Sequence, residues 1–221
     1  MTLLRRFKTM KITNEDNMKL MARYEDNHFD LAIVDPPYGI GIDKAMNANK
    51  GKQGFKQYKE TEWDNETPTQ KYFNELFRTS KNQIIWGGNY FIDKIKKPSQ
   101  CFLIWNKVQR DFTMSDAEIA WTSFDKTIRC FDMSRGAAIG CNNRNGGKLH
   151  PTQKPVKLYE WLLMNYAKES DKILDTHLGS GSIAIACHNL GYELTACELD
   201  KEYYEAAIKR INQHKQQIRM F

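Results

Sequence analysis

No apolar run in this chain approaches the roughly 20 residues that a membrane-spanning helix needs. Cys-x-x-Cys pairs and the His spacing of zinc sites are missing too. The five cysteines (Cys101, Cys130, Cys141, Cys187 and Cys197) are scattered and odd in number. That pattern argues for free thiols in a reducing compartment and against a disulfide framework, and no metal is expected. Gly179 and Gly181 are followed by Ala184, so the G-x-G-x-x-G dinucleotide fingerprint is absent; no Lys follows these glycines as a Walker A loop would require. There is no Pro-Cys dipeptide to act as a covalent nucleophile. The opening residues, Met-Thr-Leu-Leu-Arg-Arg-Phe-Lys, lack the apolar h-region of a secretory signal, so a cytoplasmic location without membrane contact is expected. Charge of either sign is not scarce. Lys and Arg number 33 against 27 Asp and Glu, and the net charge of +6 suits a polyanionic partner without singling one out.

What is present is ordinary for a folded domain: 221 residues, 41% hydrophobic and 27% charged, enough for one large α/β unit and short for two. Met10–Thr13 reads as a short strand, and 16–23 as a helix with Met18, Met21 and Ala22 on one face. Phe29–Val34 is a continuous apolar run, the mark of a strand buried on both faces of a parallel sheet. Pro36 and Pro37 stop it, so Asp35 sits at its carboxyl end. The stretch from 39 to 62 loses apolar periodicity and gathers Lys44, Lys50, Lys52, Lys56 and Lys59, a long loop of the kind that usually carries function. A helix is expected over 68–79, with strands over 83–86, 101–105 and 117–121, and then an irregular segment over 125–149. That segment carries Lys126, Arg129, Arg135, Arg144 and Lys148 against Asp125 and Asp132. The remainder alternates: helix 156–167, strand 172–175, glycine turn 176–182, helix 183–190 stopped by Gly191, strand 193–197, helix 201–214.

Two places hold chemistry. Asp35-Pro36-Pro37-Tyr38 can serve an exocyclic amino group, a poor nucleophile because its lone pair is conjugated into the ring. Asp35 and the Pro36 carbonyl can accept its two N–H bonds, the prolines hold that carbonyl still, and Tyr38 can stack on a base flipped from its duplex. The same residues would also make a plain strand-ending turn. The second place is Asp175-Thr176-His177-Leu178-Gly179-Ser180-Gly181-Ser182, where glycines admit a ligand to a helix N-terminus. Glu198, about 20 residues on, can accept both hydroxyls of an adenosine ribose, and Asp200 reads as an N-cap.

The order of these motifs resembles the β group of DNA amino methyltransferases, in which the catalytic motif precedes the cofactor loop. The resemblance covers nearly the whole chain, and the compact enzymes of phages and prophages are similar in length. It implies a Rossmann-like class I methyltransferase fold, a single permuted catalytic domain over 1–221, with about seven mostly parallel strands and helices on both faces. It implies S-adenosylmethionine as cofactor and double-stranded DNA as substrate, with 39–62 facing the DNA and 125–149 as a short target-recognition segment. A homodimer and a separately encoded restriction enzyme are the implied partners. Catalysis falls to Asp35, Pro36, Pro37 and Tyr38. Cofactor contacts fall to Asp16 (for the adenine amino group), Asn17, Asp35, Thr152, Gln153, Lys154, Asp175, Thr176, Leu178, Gly179, Ser180, Gly181, Ser182, Glu198 and Leu199. Thr176 and His177 depart from the Pro and aromatic residue more usual there, and His177 reads as a spacer. Trp86-Gly87-Gly88-Asn89 is a candidate wall of the base pocket. Asp35 points to N6 of adenine, because cytosine-N4 relatives more often carry Ser there, while relatives acting on RNA or glutamine amides usually begin with Asn.

Overall fold

The computed structural model describes residues 9–41, 64–110, 115–144, 147, 149–150 and 152–218. Of the basic loop expected over 39–62, residues 42–62 lie outside the described residues, with Lys50, Lys52 and Lys56; so do Lys148 and Pro151.

Among the described residues eight strands form one sheet: β1 (Met10–Asn14), β2 (Phe29–Val34), β3 (Ser80–Trp86), β4 (Phe102–Asn106), β5 (Ala117–Thr122), β6 (Arg129–Asp132), β7 (Lys172–Asp175) and β8 (Glu193–Glu198). Their order is β1-β8-β7-β2-β3-β5-β4-β6. The pairs β1·β8, β7·β8, β2·β7, β2·β3 and β4·β6 are parallel, whereas β5 is antiparallel to both β3 and β4. The α-helices among the described residues are α1 (Asn17–Met21), α2 (Gln70–Thr79), α3 (Ile92–Ile95), α4 (Arg135–Arg144), α5 (Val156–Tyr166), α6 (Ser182–Leu190) and α7 (Lys201–Ile218).

The period-2 alternation of a strand explains the layering. On β2, Leu31 and Ile33 join the core under α5, α6 and α7, while Ala32 and Val34 join the opposite core under α1, α2 and α3. Both faces are therefore covered by helices, and an apolar run without polar alternation is what such a strand requires. Helix α6 shows the same logic: Ser182 to Cys187 are all buried, because it lies between the sheet and its helical neighbours.

Two expectations change. The sheet has eight strands where about seven were expected, the addition being β6 at the edge beside β4. The stretch 125–149, expected to be irregular, contains β6 and α4. Only Ala138, Cys141 and Asn142 of α4 are buried, so its sequence shows no apolar stripe, and it is docked through these few contacts. None of the five cysteines is joined in a disulfide.

Candidate active site

Parallel pairing brings the carboxyl ends of β1, β8, β7, β2 and β3 to one edge. Asn14 is level with Glu198, Asp175 with Ala196, and Val34 with Ile85. Asp16, Glu198, Asp175, Asp35 and Trp86 therefore emerge at the same end, although the first two lie at opposite ends of the chain. In open α/β sheets this is where ligands bind.

The turn after β2 is held from several sides. Asp64 is buried, and its Oδ1 accepts from the backbone N–H of Tyr38 at 2.7 Å and of Gly39 at 3.0 Å. The Tyr38 ring stacks on Tyr90 with centroids 5.0 Å apart and meets Phe91 edge-on. Gly87 has φ of +69°, and a Cβ there would fall 2.2 Å from the Tyr38 ring. Trp86-Gly87-Gly88 is thus the wall of the Tyr38 site, and glycine is what lets the ring lie against it.

Asp35 carries two hydrogen bonds. The Tyr38 hydroxyl donates to Oδ1 at 2.7 Å, and the Lys154 ammonium donates to Oδ2 at 2.5 Å. Lys154 is 1% exposed while Asp35, at the mouth, keeps 20% of its side chain open. Behind them, Glu118 lies 3.1 Å from Lys154 and 2.9 Å from Lys107. The Lys154 ammonium also stands 5.1 Å from the Trp86 ring centroid. Burial raises the Asp35 carboxyl above its ordinary range, Lys154 opposes the rise and Glu118 adds to it. Burial would raise Glu118 as well, but Lys154 and Lys107 outweigh it and hold that carboxyl low. Lys154 was expected to touch cofactor; the structure sets it on Asp35. Glu118, Lys107 and Asp64 were not singled out by sequence, since a Glu on an alternating strand reads as a solvent-facing residue.

At the neighbouring strand ends, Glu198 is fixed by two backbone donors, Gly179 N–H at 2.8 Å and Asp200 N–H at 3.0 Å, one to each carboxylate oxygen. Asp16 caps α1, one oxygen accepting from Met18 and Lys19 N–H. Asp200 caps α7 as expected. Asp175 is buried at the end of β7 and accepts the His177 N–H at 3.0 Å; burial pushes its carboxyl up to about 8. Burial lowers His177 to about 4, so its ring is neutral. The Asn17 amide nitrogen, 3.1 Å from Nε2, can only donate, which leaves the proton on Nδ1, 2.9 Å from the Thr176 hydroxyl. Thr176 in turn meets the Tyr72 hydroxyl at 2.7 Å. His177 is therefore a link between α1, the loop and α2, more than a spacer.

The glycine turn is locked by a residue outside every motif. Buried Arg210 of α7 donates to the Ser180 carbonyl at 2.7 Å and to the Ser182 hydroxyl at 3.1 Å, and Ser180 and Ser182 face each other at 3.2 Å. Gly181, at φ +74°, precedes α6 as its cap; a Cβ would press on Ile211. Leu178 is buried and its N–H bonds the Cys197 carbonyl, while Leu199 is 71% exposed. Gln153 is turned to the loop before it, accepting from Leu149 N–H and donating to the Gly147 carbonyl, and the Thr152 hydroxyl meets His150. Among the described residues no cluster of His, Cys, Asp and Glu could hold a metal ion, and no helix is long and apolar enough to cross a membrane.

A family model described as DNA methylase matches residues 96–209. The chain is 26% identical over 229 residues to the Type II methyltransferase M.HpaI of Haemophilus parainfluenzae, covering 88% of this chain and 72% of that one. It is 26% identical over 242 residues to the Type II methyltransferase M2.LlaDCHI of Lactococcus lactis subsp. cremoris, covering 91% and 88%. The solved M1.HpyAVI–SAM complex superimposes with a TM-score of 0.61 at 20% identity, over 92% of this chain and 100% of that one. The cytosine-N4-specific PvuII DNA methyltransferase gives 0.59 at 13% identity, over 96% and 92%. At these identities the structural likenesses speak for the fold alone, a Rossmann-like class I methyltransferase fold.

Proposed function

This chain belongs to the DNA methylase family, and from that premise we propose that it transfers a methyl group from S-adenosylmethionine to N6 of adenine in double-stranded DNA. The observation that carries the reading is Asp35, held at the end of β2 by Tyr38 and Lys154, beside the strand ends that bear Asp175 and Glu198.

The residues fit the methyl donor. Glu198, immobilised through both oxygens, keeps further lone pairs for ribose hydroxyls. Asp16 spends one oxygen on its cap and has the other for the adenine amino group, with Asn17 beside it. Asp175 and the turn from Thr176 to Ser182 line the approach to the α6 N-terminus, where a carboxylate is favoured. Thr152 precedes Lys154, which brings that segment to Asp35. S-adenosylmethionine supplies an electrophilic methyl group on a sulfonium. The protein's part is orientation and a polar clamp: Asp35 and the Pro36 carbonyl accept the amino N–H bonds, Pro37 stiffens the turn, and Tyr38 receives the base face. Because Tyr90 stacks on Tyr38, the incoming base takes its place between them or displaces Tyr90.

The reading extends to one catalytic domain over 1–221, acting in the cytoplasm, with the 39–62 loop and the 125–149 segment flanking the DNA. It includes a homodimer and a cognate restriction enzyme as partners. The test is to incubate the protein with methyl-labelled S-adenosylmethionine and mixed DNA, RNA and protein, then digest the DNA to nucleosides for mass analysis. N6-methyladenine is expected. N4-methylcytosine alone would overturn the adenine assignment, and label confined to RNA or protein would overturn the DNA substrate.

A further inference from the structure

Strand β5 runs against its neighbours, so its amino end lies where the carboxyl ends of β3 and β4 lie. Glu118, near its start, thereby reaches the back of the site. It shares Lys154 with Asp35: the ammonium is 2.5 Å from Asp35, 3.1 Å from Glu118 and 3.2 Å from the Tyr38 hydroxyl. A single carboxylate would suffice to pair a buried lysine. A second, itself tied to Lys107 at 2.9 Å, adds a desolvation cost that packing alone does not repay.

We propose that Glu118 is a positioning residue for methyl transfer, acting through Lys154. It draws part of the ammonium's hydrogen bonding away from Asp35, so that Asp35 keeps a lone pair directed at the amino group of the target base. With Glu118 absent, Lys154, already on one oxygen of Asp35, turns the donor that Glu118 held toward the same carboxylate and competes with that amino group. The inference rests on Asp35 being the amino acceptor. The groups facing Asp35 are Lys154 ahead of α5, Tyr159 on α5, Tyr38 on its own turn, Glu118 on β5 and Asp175 on β7.

Glu118→Gln keeps the side-chain shape and removes the charge. It is expected to lower kcat by roughly 10- to 100-fold, the size of a small misplacement of a reacting group, with KM for S-adenosylmethionine within about two-fold. Since Glu118 raises the Asp35 carboxyl, the acid limb of the rate profile moves to lower pH. The Asp35 resonance, assigned by its loss in Asp35→Asn and followed by carbon-13 NMR, titrates lower too. Glu118→Asp keeps the charge on a shorter arm; it gives an intermediate kcat and leaves the limb in place. A kcat and pH profile equal to wild type in either variant overturns the proposal, as does a fall in kcat with an unmoved limb in Glu118→Gln, the mark of a merely structural role. The NMR titration needs no turnover. A wild type that transfers no methyl group while the titration shifts as expected therefore overturns the methyltransferase reading, and with it the role assigned here.

Discussion

At Asp35 one carboxylate must be buried enough to exclude water and charged enough to accept a hydrogen bond. Lys154 and Tyr38 reconcile those demands by donating to it, one to each oxygen. Asp35→Ala leaves Lys154 paired with Glu118, so the fold is expected to survive. The rate of methyl transfer should fall about 10²–10³-fold, the usual effect of removing one transition-state partner, with cofactor affinity kept within a few-fold by calorimetry. Substantial residual turnover would move the catalytic carboxylate elsewhere. Gly87 sets a second constraint at this scale. Gly87→Ala places a methyl group inside the Tyr38 ring's van der Waals envelope and strains a backbone at φ +69°. Loss of the Tyr38 position should abolish methylation while far-UV circular dichroism stays native and the melting temperature drops by a few degrees, about 1–3 kcal/mol of overpacking. Normal turnover in this variant would mean that the ring's placement is irrelevant to the reaction.

The elements nearest the site each do two jobs, and α1 shows how to separate them. Asp16 caps the helix through Met18 and Lys19, and Asp16→Ala should cost about 1 kcal/mol of stability for the lost cap. If Asp16 also accepts the cofactor's adenine amino group, affinity falls as well, by about 1–3 kcal/mol. Asp16→Ser restores the cap without the carboxylate, so melting temperature should recover while calorimetric affinity does not; recovery of both would leave Asp16 as a cap alone. Much of this layer was legible in sequence. Leu31–Val34 and Leu194–Cys197 are buried without a break because both faces of their strands are covered. Asp35 marks a strand end because two prolines come directly after it, and Glu198 because a helix cap stands two residues on. The reversal of β5 was not legible. Ala117–Thr122 has the same composition whichever way it runs, and direction is fixed by long-range pairing with β3 and β4. That is why Glu118 went unread and why the pairing of Lys154 with Asp35 was not foreseen: their meeting depends on a topology that no local spacing encodes. Helix α4 was missed for a related reason, since Arg135–Arg144 buries too little to pattern itself.

Across the whole molecule, burial stores a proton at the centre of the sheet. Asp175 titrates near 8 in the folded protein against an ordinary 3.8, because it is buried at the end of β7. A raised folded value means stabilisation that is complete below pH ~4 and lost as pH climbs through about 8. Asp175→Asn should therefore gain in melting temperature relative to wild type across that window. A cationic cofactor beside Asp175 would lower its value, so binding at pH 7 should release a fraction of a proton. Calorimetry in buffers of different ionisation enthalpy reads that release, which should vanish in Asp175→Asn; binding without release in wild type would place the sulfonium away from Asp175. The pairing of β1 with β8 has a consequence of another kind. Asn14 and Glu198 stand side by side across 184 residues of chain. During synthesis, at about 5–20 residues per second, β1 emerges early and finds no strand to join until β8 has left the ribosome. The strand ends that carry Asn14 and Glu198 thus meet only after β8 has emerged. A nascent chain exposes its first strand's edge for the better part of its translation, the interval in which such an edge is most open to a chaperone or to another chain's strand.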